Sequence, residues 1–189
     1  MRLVLSPALA RVLLAFTAVP INGLWNGLVC WSVLREARIR VMGPSTTHEM
    51  LDTVLDGEPA PCPALVEAIH RAVASAIVRT RELHPNHVAL VRAVRLRLGE
   101  PADDLQLDDS AAFLTLLPRL ELSERRVALR VLAVAAILDG RLVRGERSLL
   151  GEAYRAADLR SGAVHVEALR RAFVAGDVIS RDELRRAAA

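Results

Sequence analysis

Residues 131–159, VLAVAAILDGRLVRGERSLLGEAYRAADL, decide the fold class. In the first half, Val131, Val134 and Leu138 recur at the three-to-four-residue interval that lines one side of a helix, and Leu132, Ala135 and Ala136 widen that side. Asp139-Gly140 then makes a tight reversal, and after a short spacer Glu146 leads a second amphipathic stretch carrying Leu149, Leu150, Ala153 and Ala157. Two antiparallel helices are predicted. The first reaches back through Val127 to a cap at Ser123 and the acids around it, and is apolar enough to lie at the centre of a bundle. Capping accounts for both turn acids, because a carboxylate near a helix N-terminus interacts favourably with the helix dipole.

The rest of the chain agrees with an all-α reading. Hydrophobic residues make up 52% of the 189, but aromatics only 3%. The apolar content is therefore mostly Ala, Leu and Val, a mixture that favours helices. All 25 basic residues are arginine, which points to a GC-rich bacterial genome. Net charge is +4 over residues 1–42, −4 over 43–119 and +3 over 120–189. In the last segment arginines alternate with acids, as on a solvated, ion-paired face. No basic cluster interleaves with stacking aromatics, so nucleic acid is not an expected partner. Cys30 and Cys62 lack the paired spacing of a zinc site or disulfide framework, which fits reduced thiols in the cytosol.

Residues 12–34, VLLAFTAVPINGLWNGLVCWSVL, form an uncharged run of 23 residues. A membrane span needs ~20 apolar residues, but Pro20, Asn22, Gly23, Asn26 and Gly27 interrupt this one with a helix breaker and two amides that need partners in hydrocarbon. The expectation is a hydrophobic helical hairpin, with helices at about 8–19 and 22–41, retained rather than cleaved as a signal peptide. Trp25 and Trp31 suit the headgroup level, and Arg35, Arg38 and Arg40 form a basic collar suited to an anionic surface. Charge flanks the run on both sides and does not orient it. Gly43-Pro44 is expected to end the second helix, and the capping box from Thr46 to Glu49 to start another that Asp56-Gly57 stops.

A helix from Pro63 to Leu83 is expected to keep Leu65, Ile69, Ala72, Ala76 and Thr80 on one face, and another runs from about 86 to 98. His84 and His87 read as surface histidines at the turn made by Pro85. Residues 99–109, GEPADDLQLDD, form an acidic linker without the ligand spacing of a calcium loop. Asp108 or Asp109 is expected to cap a helix over 110–118. The organisation that follows is a hairpin and membrane anchor at 1–43, a middle helical region at 44–100 and a helical bundle at 108–189.

No glycine-rich phosphate loop, nucleophile elbow, H-E-x-x-H or CxxC pair occurs, and His70, His165 and the scattered serines converge on no local catalytic pattern. An enzyme is not expected.

The string VLAVAAILDGRLVRGERSLLGEAYRAADL resembles the tellurite-resistance TerB-like family, with the similarity extending over about residues 120–186. In that family a small-residue apolar helix ends in Asp-Gly and is followed by a spacer, a Glu and a second apolar helix. The resemblance implies a divalent cation at the turn acids, here Asp139 and Glu146, and a link to stress or metal response. This chain departs from the pattern at Leu138 and in a spacer holding Arg141 and Arg144, which would repel a cation. Asp177, Ile179, Ser180 and Glu183 repeat the order of the turn more weakly, and Ser180 to Glu183 is also a capping box.

The function expected is a non-catalytic interaction or scaffold module at the cytoplasmic face of a bacterial membrane. It would contact the membrane through residues 8–41 and a protein partner or its own copy elsewhere. The alternative is a soluble divalent-cation sensor using the Asp139–Glu146 turn. No other cofactor is expected.

Overall fold

The computed structural model describes residues 7–56, 61–101, 109–160 and 162–188. Regular structure among them is entirely helical: α1 (Pro7–Leu55), α2 (Pro63–Thr80), α3 (Pro85–Leu98), α4 (Ser110–Leu116) with a 3-10 turn (Leu117–Arg119), α5 (Leu122–Ile137), α6 (Arg144–Ala156), α7 (Ala163–Ala175) and α8 (Arg181–Arg186). The chain divides into two compact units, Met1–Ala37 and Arg38–Ala189.

The larger unit is an all-α bundle built around α5. Every residue from Val131 to Gly140 is buried, as are Val127, Ala128 and Leu129, so the helix is enclosed on all sides. Its main neighbour is α2, which buries Leu65, Ala68, Ile69, Ala72, Val73 and Ala76, the face anticipated from the sequence. Small residues on both helices let their axes approach. Residues of α1 (Ile39, Met50, Leu51, Val54), α3 (Leu90), α6 (Leu149, Leu150, Tyr154) and α8 (Leu184) join the same core. The expected boundary between 44–100 and 108–189 therefore does not divide the core.

Local chemistry sets the ends of these helices. Pro63 and Pro85 occupy first-turn positions, where a missing N–H is harmless. Asp109 accepts from the N–H groups of Ala111 and Ala112 to start α4, while Asp108 lies outside the described residues. α5 starts one residue earlier than expected: Glu121 is its cap, and Glu124 returns to the Glu121 N–H at 2.9 Å. The box from Ser180 to Glu183 is present at α8. Arg125 ties the start of α5 to its surroundings, donating to the carbonyls of Leu120 (2.9 Å), Pro118 (2.8 Å) and Ala157 (3.2 Å).

The N-terminal segment departs from expectation. There is no hairpin: α1 runs as one helix of 49 residues through Pro20, Gly43 and Pro44. An interior proline removes one hydrogen bond and presses on the carbonyl four residues back, but a long helix keeps the bonds on either side. Gly43 is not a C-cap but lies inside α1, and the Asn86 side chain fills the space where its Cβ would stand. Nor do Thr46 and Glu49 open a helix. The hydroxyls of Ser45 and Thr46 donate back to the Met42 carbonyl and that of Thr47 to the Gly43 carbonyl, so these residues support the turn that Pro44 weakens.

In the smaller unit, α1 exposes its apolar side chains from Ile21 onward. From Ile21 to Leu34 every residue is exposed, and no helix among the described residues is long and apolar enough to cross a membrane.

Candidate functional site

Two places carry chemistry worth arguing. The first is the turn between α5 and α6. Gly140 adopts φ 72°, a left-handed conformation that glycine takes without strain, and this reverses the chain immediately after α5. Asp139 is buried, and its Oδ1 accepts from the Arg141 N–H at 2.7 Å. Glu146 is 1% exposed and fully engaged: Oε2 accepts from the Val143 N–H at 2.9 Å, capping α6, and Oε1 accepts from the Thr80 hydroxyl at 2.7 Å, tying α6 to the end of α2.

Burial disfavours both carboxylates. Desolvation raises the Asp139 carboxyl above its ordinary range, partly offset by the Arg141 N–H and by His87 and His84. Glu146 is pushed up to about 7 by burial, against the hydrogen bonds from Thr80 and Val143, with the nearby Asp139 charge adding to the rise. Glu146 is thus the carboxyl of the two that is brought to near neutrality.

Around the turn the structure gathers residues that are far apart in sequence. His84 and His87 are not surface histidines; both are buried at the start of α3, with ring centroids 6.2 Å apart. His87 Nε2 lies 3.1 Å from the Ala135 carbonyl and must carry the hydrogen, which leaves Nδ1 as an acceptor with no hydrogen-bond partner among the described residues. Desolvation lowers the His87 pKa, with the Asp139 charge opposing. His84 Nδ1 accepts from the Asn86 N–H at 3.2 Å. From α7, Arg170 donates to the Gly140 carbonyl at 3.0 Å and pairs with Glu167 at 2.7 Å.

The two sequence-predicted cation residues thus lie in one polar cluster, each holding a helix terminus or turn. To coordinate a cation, they would have to give up these bonds. Among the described residues no group of three or more His, Cys, Asp or Glu is placed to hold a metal ion. The sequence reading did not bring Thr80, Asn86 or Arg170 to the site, and it took His84 and His87, whose three-residue spacing could place two imidazoles together, for surface histidines. Thr80 carried a signal too, since it continues the apolar face of α2 at the correct interval.

The other histidines and the thiols stand apart. His70 is buried against the Gly99 carbonyl at 3.2 Å, and His165 is exposed on α7. Cys62 donates to Glu124 at 2.9 Å and accepts from the Leu65 N–H at the start of α2, a structural tie. Cys30 is exposed on α1.

The second place is the uncharged stretch of α1. Leu24 (69% exposed), Trp25 (66%) and Trp31 (64%) are largely open to solvent, as are Ile21, Leu28, Val29, Val33 and Leu34. The guanidinium of Arg35 lies over the Trp31 ring, 5.9 Å from its centroid.

Compared with known proteins, the chain matches no family model, no curated protein and no solved structure.

Proposed function

We propose that this protein is a non-catalytic interaction module that docks on the cytoplasmic face of a bacterial membrane through the apolar stretch of α1. The helices from residue 38 onward would form the body presented to partners. One observation carries the reading: from Ile21 to Leu34 a helix without a single charge exposes large apolar side chains, followed at once by a collar of arginines. Soluble surfaces rarely keep so much contiguous apolar area in water, and each large side chain moved into an apolar phase contributes roughly 1.5–3 kcal/mol. Trp25 and Trp31 have an amphipathic ring suited to the headgroup region, and Arg35 suits anionic lipid beside it. Insertion without a full crossing is the form proposed.

The resemblance of residues 120–186 to TerB-like proteins belongs to the same proposal. Its support is the sequence of apolar helix, Asp-Gly turn and Glu-led helix, and it suggests a role in stress or metal response.

The test uses the chain's own probes, since its only two tryptophans both lie in this stretch. Vesicles of phosphatidylcholine and phosphatidylglycerol added to the full-length protein should shift tryptophan emission to the blue and carry the protein upward in flotation. Unchanged emission together with protein left at the bottom of the gradient would defeat the proposal.

A further inference from the structure

We infer that the cleft where α2 ends and α6 begins binds a soluble ligand carrying a diphosphate group. The site lies in the larger unit and does not depend on the membrane reading.

Three arginines converge there. Arg79 comes from the last turn of α2, Arg81 from the residue that caps it and Arg144 from the first position of α6, and all three line one open cleft of about 730 Å³. Gly145 lets the two helix ends meet, because a Cβ there would crowd the Arg79 carbonyl at 3.1 Å. Among the described residues none of the three arginines pairs with a carboxylate. The acids nearby are taken: Glu82 by Arg141, at 3.7 Å, and Glu146 by the Thr80 hydroxyl and the Val143 N–H. Asp109, which also lines the cleft, accepts through Oδ1 from the Ala111 and Ala112 N–H groups. Positive charge is left in excess.

Local structure does not account for these arginines. A cation in the last turn of a helix is favourable, and that explains Arg79 alone. Arg144 stands at the opposite kind of end, the positive N-terminus of α6, where a cation is disfavoured. Arg81 holds φ 58°, a left-handed conformation that glycine or asparagine takes more easily. Two guanidinium groups are thus kept at positions that the fold alone would fill otherwise, and both line the same cleft. The negative end of α2 and the positive end of α6 offset each other there, so the guanidinium groups set the sign of the potential.

The chemistry of the cleft selects the ligand. A guanidinium presents parallel N–H donors that match two oxygens of a phosphoryl group, and three of them suit the spread charge of a diphosphate better than the single charge of a carboxylate. The volume falls in the range of small-molecule sites, roughly 300–1,000 Å³, and leaves room for an organic part, to which Val78 and Val143 offer apolar wall. Among the described residues no aromatic side chain lines the cleft, so that part is not a base held by stacking.

The experiment is calorimetry of the full-length protein with inorganic pyrophosphate, at an ionic strength held constant with chloride. Saturable binding is expected, weakened about tenfold by Arg81→Asn and about tenfold by Arg144→Gln, since each removes charge-assisted hydrogen bonds. Neither threatens the fold: asparagine suits the left-handed position, and glutamine takes a cation away from a helix N-terminus. Arg141→Gln removes the same charge from the same turn but outside the cleft, and should leave the affinity unchanged.

A lipid headgroup also carries phosphate, so the same variants are floated with vesicles containing phosphatidic acid. Weaker pyrophosphate binding in the two cleft variants, with flotation unchanged, supports the soluble ligand. No saturable heat, or an equal loss in Arg141→Gln, would overturn the site. Loss of flotation in the cleft variants would assign the arginines to a headgroup and overturn the soluble ligand.

Discussion

Asn86 fills the space that a side chain on Gly43 would need, and from there its Nδ2 donates to the carbonyls of Ile39 at 3.0 Å and Leu138 at 2.8 Å. One amide thus joins α1 to the end of α5. Gly43→Ala forces a methyl against a fully buried side chain and should cost about 2 kcal/mol, read as a fall in Tm of about 4–8 °C. Asn86→Ala should cost a similar amount by removing two buried hydrogen bonds. The double variant should lose less than the two losses added, because without the amide the methyl has room. Strict additivity in that cycle would show that the two residues do not act on each other.

How much of this was readable from residues alone divides along physical lines. The α5–turn–α6 pair is legible because apolar periodicity, an Asp-Gly reversal and a Glu-led helix all agree there, as does the capping box at Ser180. The continuity of α1 is not legible. Pro20 and Gly43-Pro44 are local signals for stopping, and the second lies where α1 is packed by residues distant in sequence, Asn86 among them, more than forty residues away. The same holds for the turn cluster. Nothing near His84 and His87 in sequence suggests burial; they are enclosed because α3 packs where Ala135 and Asp139 face it.

The buried carboxyl of Glu146 sets a pH dependence whose direction follows from linkage. Its folded pKa, about 7, lies above the ordinary value of 4.5, so the folded state holds the proton more tightly. The associated stability is fully present below about pH 4.5 and is lost as pH rises through about 7, an effect on the order of 3 kcal/mol. Glu146→Gln keeps an acceptor for the Val143 N–H and offers a donor to Thr80, so it mimics the protonated acid. Urea denaturation at pH 5 and pH 8 should show the wild type weaker at pH 8 and the variant level in this respect. His87 acts oppositely: its pKa is lowered by burial, so its contribution falls as pH drops below 6.5. The comparison of the two proteins, not the wild-type profile alone, isolates Glu146. Parallel profiles would refute the assignment.

Arg125 should be more sensitive to conservative change than its position suggests. Its guanidinium reaches three carbonyls on two segments, Pro118 and Leu120 in the turn before α5 and Ala157 at the end of α6. A lysine ammonium cannot span that fork, because its donors diverge from one point. Arg125→Lys should therefore cost about 1–3 kcal/mol, against the few tenths usual for a surface exchange. Thermal denaturation of the variant checks this, and a shift below one degree would mean that the three bonds are not held in solution.

On the membrane proposal, the arginines after the apolar stretch act on lipid charge. Arg35 lies over Trp31 and Arg40 is exposed a little more than one turn further along α1. A basic side chain near an anionic surface contributes about 1 kcal/mol, so Arg35→Ala and Arg40→Ala should each weaken binding to phosphatidylglycerol-containing vesicles about fivefold. Binding to pure phosphatidylcholine should stay the same, and added salt should erase the difference between wild type and variants, because screening acts on the charges alone. Flotation on the two vesicle types at low and high salt measures all four terms. An equal loss on neutral vesicles would assign these arginines to the packing of α1 instead of to the lipid surface.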